Sequence, residues 1–468
     1  MLIQNAEIKG QFPIDLRIED ERIGAIGPSL DRLGGEPCLD AAGGALLPGL
    51  HDHHVHLLST AAAATSLCCG PPEVNDEQAL ARALGAACRA CPSRGWVRGV
   101  GYCESVAGDL DRKRLDALTG DVPVRVQHRS GALWIVNSAA ASQLGLCDAR
   151  DLAGVETDER GEPNGRLFRL DGWLRERLPE AALPDLGALG QQLARYGTTG
   201  VTDATAGNDK ASAELFLLAT ANGALPQSIR LMGSLSLPEL PETRVVRAEV
   251  KILLDETTLP DFDRLRDTLI RAHAQQRGAA IHCVTRAELV FAIEAFAVAG
   301  VRQGDRIEHA AVADPEHVAR LRDLGLCVVT QPNFIAERGE AYATDVDPID
   351  LPWLYRGQGF VQEGVPLGGG TDAPFGNPDP WLAMRAAVDR KSATGRILGP
   401  GEALSPERAL ALFTTPPEAP GGRPRTLQPG SRADLCLLDR PWSDARKRLS
   451  SEAVRAAFCA GRLAFCRD

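Results

Sequence analysis

The chain has 468 residues, of which 44% are hydrophobic and 24% charged, ordinary globular values that exclude a disordered or fibrous chain. Sixty-two acidic against 51 basic residues give a net charge of −11, which argues against nucleic-acid binding and polybasic membrane contact. We therefore expect a small-molecule partner. Twelve cysteines are too few for a disulfide scaffold and the start shows no signal-peptide pattern, so we expect a cytoplasmic location. No apolar run reaches the roughly 18 residues that a membrane-spanning helix needs.

Both ends of the chain show the alternating apolar pattern of short antiparallel strands. Near the N-terminus, Ile14, Leu16 and Ile18 share one face of such a strand. The C-terminal segment has the same pattern. We therefore predict one small β-sandwich domain built from residues 1–44 and 425–468.

Between these ends, short β-rich apolar runs alternate with helical patterns, which is typical of βα units around a parallel sheet. Eight such units predict an α/β fold, a (β/α)₈ TIM barrel over residues 45–424, with its active site at the carboxyl ends of the strands. The runs lie at 45–56, 200–205, 227–233, 249–255, 279–284, 306–310, 327–332 and 365–373.

The stretch from about 59 to 195 is too long for one crossover between barrel strands and contains a strand-like run at 122–127. We interpret the stretch as an insertion over the barrel mouth. Alternatively, the run at 122–127 is itself a barrel strand, which would renumber the second and third strands.

Four of the nine histidines lie within six residues at the end of the first run. His54 and His56 are two apart, so on an extended strand both rings point the same way and can hold one divalent ion. Surface strands also tolerate such pairs. We interpret the flanking His51 and His53 as structural.

Three further polar residues end other predicted strands: His282, His309 and Asp372. Taken singly, each histidine fits a buried, hydrogen-bonded role, and the aspartate fits a helix N-cap. Taken together, they converge on the end of the barrel that carries His54 and His56.

Lys251 is one of only six lysines and lies in the apolar run EVKILLD. Burial would lower the pKa of its ammonium group, unless the side chain snorkels to the surface. A neutral amine beside a metal ion can instead take up carbon dioxide and become a carbamate that bridges two ions.

An ordered series of motifs resembles the amidohydrolase superfamily, specifically the YtcJ-like amidohydrolase family 3, over nearly the whole chain. The motifs are PGLHDHHVH, GWVRGVGY, WIVNS, GTTGVTDA, VKILLD, IHCVT, RIEH, GGTDAPFG and LQPGSRADLCLLD. The resemblance implies two divalent ions, usually zinc, although iron, nickel or manganese suit the same ligands.

By this resemblance, His54, His56 and Asp372 hold the more buried ion, and His282 and His309 hold the more exposed one. Carboxylated Lys251 bridges the two ions. The ions supply a hydroxide at neutral pH, and Asp372 takes its proton and passes it to the leaving group.

Two departures from the family pattern touch the substrate pocket. Many relatives have an Asp-Gly-His triplet where this chain has Ser130, Gly131 and Ala132, so a polar substrate contact is lost or supplied by His128 or Arg129. Many also have Ala-Ile-Gly-Asp after the third histidine, where this chain has Cys283, Val284 and Thr285. The substrate therefore cannot be inherited from a relative. Two further pocket candidates, which are more often packing residues, are Trp134 and Asn333.

We expect a metal-dependent hydrolase of an amide-like C–N bond. One alternative is a mononuclear deaminase with a glutamate as proton shuttle, for which Glu308 is expected to face the wrong side of its strand. Others are a lactone or ester hydrolase and, least favoured, a non-catalytic binding scaffold. The fold is common among homo-oligomers, and by that analogy alone this chain is a candidate for self-association.

Overall fold

The computed structural model describes residues 1–92, 95–179, 183–241 and 243–467. The chain forms two compact units. The first consists of Met1–Leu57 and Leu186–Asp468, and the second of Leu58–Asp185.

Eight parallel strands form the main sheet of the first unit, and each overlaps one of the eight predicted runs. After the last strand, the Asp372 amide donates to the His54 carbonyl (2.8 Å) and the His56 amide to the Ala373 carbonyl (2.8 Å), which returns the chain to the first strand. The predicted (β/α)₈ barrel is confirmed. Its strands, in spatial and chain order, are β1 (Leu50–Val55), β2 (Thr198–Asp203), β3 (Ser228–Gly233), β4 (Val245–Leu253), β5 (Ala279–Cys283), β6 (Arg306–His309), β7 (Cys327–Thr330) and β8 (Leu367–Gly369).

Amphipathic helices cover the outside of these strands. The helix after β5 begins with a capping box, in which the Thr285 side chain accepts from the Glu288 amide and the Glu288 carboxylate accepts from the Thr285 amide. Its Leu289, Ile293 and Phe296 recur at helical spacing and are buried in the core around the barrel. The main helices of this unit are Leu186–Arg195, Lys210–Ala221, Phe262–Ala274, Arg286–Ala299, Pro315–Leu324, Asn333–Asp345, Gln358–Glu363, Pro380–Asp389 and Pro406–Thr414.

Both chain ends build a small β-sandwich, as predicted. Its two four-stranded sheets share one buried core, to which Ile3 and Leu16 contribute from one end and Leu435 and Phe458 from the other. One sheet has the order Arg22–Gly27, Gln11–Glu19, Leu2–Ile8 and Cys38–Asp40, and the other Arg462–Cys466, Val454–Cys459, Leu435–Leu438 and Leu46–Pro48.

The run at 45–56 is not one strand, contrary to the prediction. Leu46–Pro48 belongs to the sandwich and β1 to the barrel, with Gly49 between them. A side chain at residue 49 would come within 2.3 Å of the Thr199 side chain, so only glycine fits where the chain passes from one sheet to the other.

The second unit has a six-stranded mixed sheet with its own buried cores on both faces. The run at 122–127 contributes to this sheet, so the alternative that it is a barrel strand is wrong. In order, the strands are Val155–Thr157, Pro163–Phe168, Leu133–Val136, Val124–His128, Val97–Tyr102 and Leu67–Cys68. The main helices are Glu77–Ala90, Arg112–Thr119, Ser138–Leu144 and Asp171–Arg177, with Leu57–Ala64 leading into the unit from β1.

Across the described parts of both units, no helix combines the length and apolarity that crossing a membrane would need.

Candidate metal centre

Three of the predicted ligands meet where the barrel closes. Asp372 Oδ1 lies 3.4 Å from His54 Nε2 and 3.2 Å from His56 Nε2. The two imidazole rings stand nearly perpendicular, with their centroids 5.4 Å apart. Because Asp372 follows β8 and the histidines end β1, the closure of the barrel brings them together.

The histidines of β5 and β6 join this group. The His309 ring centroid lies 4.9 Å from that of His54 and 4.4 Å from that of His282. Ligand atoms of His54, His309 and Asp372 all lie within 4.8 Å of one another, and all three residues are buried. This spacing suits one ion held by several residues.

Lys251 lies inside the barrel with only 4% of its surface exposed. Among the described residues, its ammonium nitrogen has no hydrogen-bond partner. Burial lowers the pKa of this group and outweighs the nearby negative charges of Glu308 and Asp372. The amine is therefore shifted toward the neutral, nucleophilic form that carbamate formation requires.

Hydrogen bonds orient three of the imidazoles. Each uses Nδ1 to contact a fixed oxygen: His54 contacts Glu308 Oε2 at 2.5 Å, His56 contacts Thr205 Oγ1 at 2.8 Å, and His309 contacts Gln331 Oε1 at 2.6 Å. These contacts leave every Nε2 for the shared space. Within the described chain, His309 Nε2 and Asp372 Oδ1 are buried without a hydrogen bond. Unpaired lone pairs facing one another fit a cation between them.

The protonation states suit metal ligands. Burial lowers the pKa of His54 and lowers that of His309 to about 3, so both rings are neutral near pH 7. Burial alone would raise the pKa of Asp372, but His54, His56 and His309 stabilise its carboxylate and hold the pKa below its usual range.

Left-handed backbone turns place these groups. The φ angles of His309 and Ala310 are 70° and 44°, and that of Asp372 is 55°. Such values are rare outside glycine, and they accumulate at functional sites. The turn at the end of β6 breaks the alternation of the strand, so Glu308 and His309 both reach the interior.

The expectation that Glu308 faces away from the site is therefore wrong. Its side chain is fully buried, Oε2 contacts His54 Nδ1, and Oε1 accepts from Arg306 Nε at 2.6 Å. Sequence reasoning missed this residue because strict alternation was assumed up to the last residue of β6. The acidic residue directly before a predicted ligand was the available signal.

The histidines interpreted as structural are indeed held by hydrogen bonds away from the ligands. His51 Nε2 contacts Thr202 Oγ1 at 2.9 Å, and His53 Nε2 contacts Thr415 Oγ1 at 3.0 Å.

Asn333 lies behind the loop that carries Asp372. Its amide nitrogen donates to the Thr371 carbonyl at 3.0 Å, and the residue is 1% exposed. This arrangement braces the loop. A direct substrate contact by Asn333 stays a prediction.

The remaining predicted pocket residues lie in the second unit. The His128 ring contacts Glu104 and Ser130, and the Arg129 amide donates to the Tyr102 carbonyl. Trp134 is 4% exposed, and its indole nitrogen donates to Asp171 at 2.8 Å. For His128, Arg129 and Trp134, contact with a substrate stays a prediction.

Comparison with known proteins agrees with this architecture. The chain is 26% identical to an N-substituted formamide deformylase of Arthrobacter pascens, covering 90% of this chain and 87% of that protein. It is 24% identical to the protein YtcJ of Bacillus subtilis (strain 168), and the match covers 80% of this chain and 79% of that protein. The crystal structure of an uncharacterized metal-dependent hydrolase from Pyrococcus horikoshii OT3 has the same fold, with a TM-score of 0.73, 19% identity and coverage of 94% and 97%.

The model of the amidohydrolase family matches residues 38–465, a span that includes the whole barrel and all six predicted ligands. The chain therefore belongs to the amidohydrolase family and is a hydrolase of carbon–nitrogen bonds.

Proposed function

We propose that this protein is a metal-dependent amidohydrolase that cleaves an amide-like C–N bond of a small molecule. The observation that carries the proposal is the convergence of buried, neutral imidazoles, an ionised carboxylate and an unpaired lysine at the carboxyl end of the barrel. Such a donor set suits Zn²⁺, which binds nitrogen and oxygen ligands.

In this proposal, His54, His56 and Asp372 would hold one ion, His282 and His309 would hold a second, and Lys251, once carboxylated, would supply a ligand to the pair. Two bound divalent ions would lower the pKa of water and polarise a carbonyl group. Asp372, held beside His56 Nε2, would accept at its carboxylate the proton that the attacking water gives up, and would return it to the leaving nitrogen as the C–N bond breaks.

Metal content per chain is the first test of the proposal. Protein purified without chelator or added metal is measured by elemental analysis, and about two ions per chain are expected. About one ion would move the proposal to a mononuclear deaminase. No ion, even after reconstitution with zinc and bicarbonate, would refute a metal-dependent function and favour a binding scaffold.

The second test is a substrate panel. N-substituted formamides come first because the relative from Arthrobacter pascens is a deformylase of such compounds. Released formate and amine are measured on the reconstituted enzyme, with chelated enzyme as the control. Lactones and esters complete the panel, and cleavage of these alone would replace the amide assignment.

The mononuclear deaminase has less support from the site. The Glu308 carboxylate, a candidate proton shuttle by position, is held by Arg306 on one oxygen and by His54 on the other. It is therefore not free to carry a proton to a substrate.

A further inference from the structure

Glu308 and Arg306 form a buried ion pair that contacts two adjacent residues at the end of β1. Glu308 Oε1 accepts from Arg306 Nε at 2.6 Å, and Glu308 Oε2 lies 2.5 Å from His54 Nδ1. Arg306 Nη2 donates to the carbonyl of His53 at 3.0 Å. Glu308 is 0% exposed, and Arg306 and His54 are 1% exposed. The ring of His54 and the backbone beside it are thus held by one ion pair.

This contact determines which nitrogen of His54 faces the shared space between the candidate ligands. A carboxylate paired with a guanidinium can only accept, so His54 Nδ1 must carry the proton and Nε2 must present its lone pair. The other two oriented imidazoles contact neutral partners, the Thr205 hydroxyl and the Gln331 amide oxygen. Of these three rings, His54 is therefore the one that a charged carboxylate orients.

We propose that Glu308 is a positioning residue that sets the tautomer and the metal affinity of His54, with Arg306 holding its carboxylate in place. The inference rests on the proposed metal site and adds to it a residue outside the six proposed ligands.

A second ion pair in the same barrel provides the matched control. Glu249 lies on β4, two residues before Lys251 and on the same interior face. Its Oε1 accepts from Arg230 Nη2 at 2.9 Å, and the residue is 4% exposed. Glu249→Gln therefore removes a buried carboxylate from Arg230, and a negative charge from the surroundings of Arg306, without touching a histidine of the site.

The experiment compares wild type, Glu308→Gln and Glu249→Gln as full-length protein, with Zn²⁺ affinity measured by competition with a chelating dye. Glu308→Gln is expected to bind Zn²⁺ about 10- to 100-fold more weakly than wild type, the usual effect of removing such a partner. Glu249→Gln is expected to bind as wild type does. In the Co²⁺-substituted proteins, the visible absorption spectrum should change in Glu308→Gln alone, a change that a general loss of stability would not produce.

A third variant keeps the test decisive even if Glu308→Gln does not fold. Glu308→Asp keeps a carboxylate for Arg306 but shortens its reach toward His54, so a folded Glu308→Asp protein should also bind Zn²⁺ more weakly. Wild-type affinity and an unchanged Co²⁺ spectrum in a folded Glu308 variant would overturn the positioning role while leaving the proposed function standing. Failure of wild type itself to bind any ion would overturn both.

Discussion

Asp372 Oδ1 lies 3.2 Å from His56 Nε2, although the two residues belong to opposite ends of the barrel sequence. The contact exists because β8 returns to β1, with the Asp372 amide donating to the His54 carbonyl. The closure of the barrel therefore also brings the candidate ligands together. Changes at either side chain should affect the chemistry more than the fold.

Asp372→Asn should reduce kcat by about 10²- to 10⁴-fold, the usual contribution of a positioned acid or base. The amide keeps the shape of the side chain but cannot accept the proton. Most of the metal should remain, since the histidines still bind. Steady-state kinetics and elemental analysis on the same preparation check both statements.

The control for this variant is Asp379→Asn, because Asp379 is another buried carboxylate but caps a helix and accepts from Ser451 at 2.5 Å. Its turnover should stay within a few-fold of wild type. Equal rates in Asp372→Asn and wild type would contradict the proton role.

If Lys251 is a ligand shared by two ions, as proposed, Lys251→Ala should lower the metal content from about two ions toward one. After incubation with ¹³C-bicarbonate, wild type should show a carbamate signal in the ¹³C NMR spectrum that this variant lacks. Lys391→Ala, which changes an exposed lysine, is the control and should keep both the signal and the ions. Full metal content and turnover in Lys251→Ala would remove the lysine from the proposed site.

Removing the metal should lower the thermal midpoint of unfolding. An ion that binds only the folded chain stabilises it by about 2.7 kcal/mol at a concentration 100 times its Kd. Calorimetry of chelated protein should therefore show a lower Tm that Zn²⁺ restores. Mg²⁺ prefers oxygen ligands and should restore little of it. If Zn²⁺ did not change the Tm of the chelated protein, that result would be evidence against an ion at the imidazole cluster.

Replacing Glu36 should remove a pH-dependent contribution to the stability of the β-sandwich. Arg17 donates to Glu36 at 2.9 Å and lowers the pKa of that carboxyl from 4.5 to about 2. Because the folded pKa lies below the unfolded one, the stabilisation is complete above pH 4.5 and is lost as the pH falls toward 2. Denaturant midpoints of wild type and Glu36→Gln should therefore differ at pH 7 and converge near pH 2. A constant difference across that range would contradict this account.

Much of the fold could be predicted from local patterns in the sequence. The eight apolar runs, the sandwich strands at both ends and the capping box at Thr285 follow from periodicity and from side-chain hydrogen bonding that acts over a few residues. Five of the six candidate ligands could also be predicted, because each ends a predicted strand and a parallel barrel places these strand ends on one side. Lys251 could be predicted as an unusual lysine within an apolar run.

The predictions from sequence were wrong where the backbone departs from regular strand geometry. The break at Gly49 and the left-handed turn at His309 each change which way a residue points, and alternation alone cannot show either. The buried contact between Glu308 and His54 depends on that turn and on the packing of β6 against the interior.

The sequence by itself determined the barrel, its order of strands and the residue types at their ends, because these depend on local propensity and period. Tertiary structure alone decided which nitrogen of His54, His56 and His309 faces the shared space, since Glu308, Thr205 and Gln331 come from other strands and loops. Hydrogen bonds between segments distant in the chain leave no periodic pattern in the sequence. Only the closed barrel brings their donors and acceptors within reach of one another.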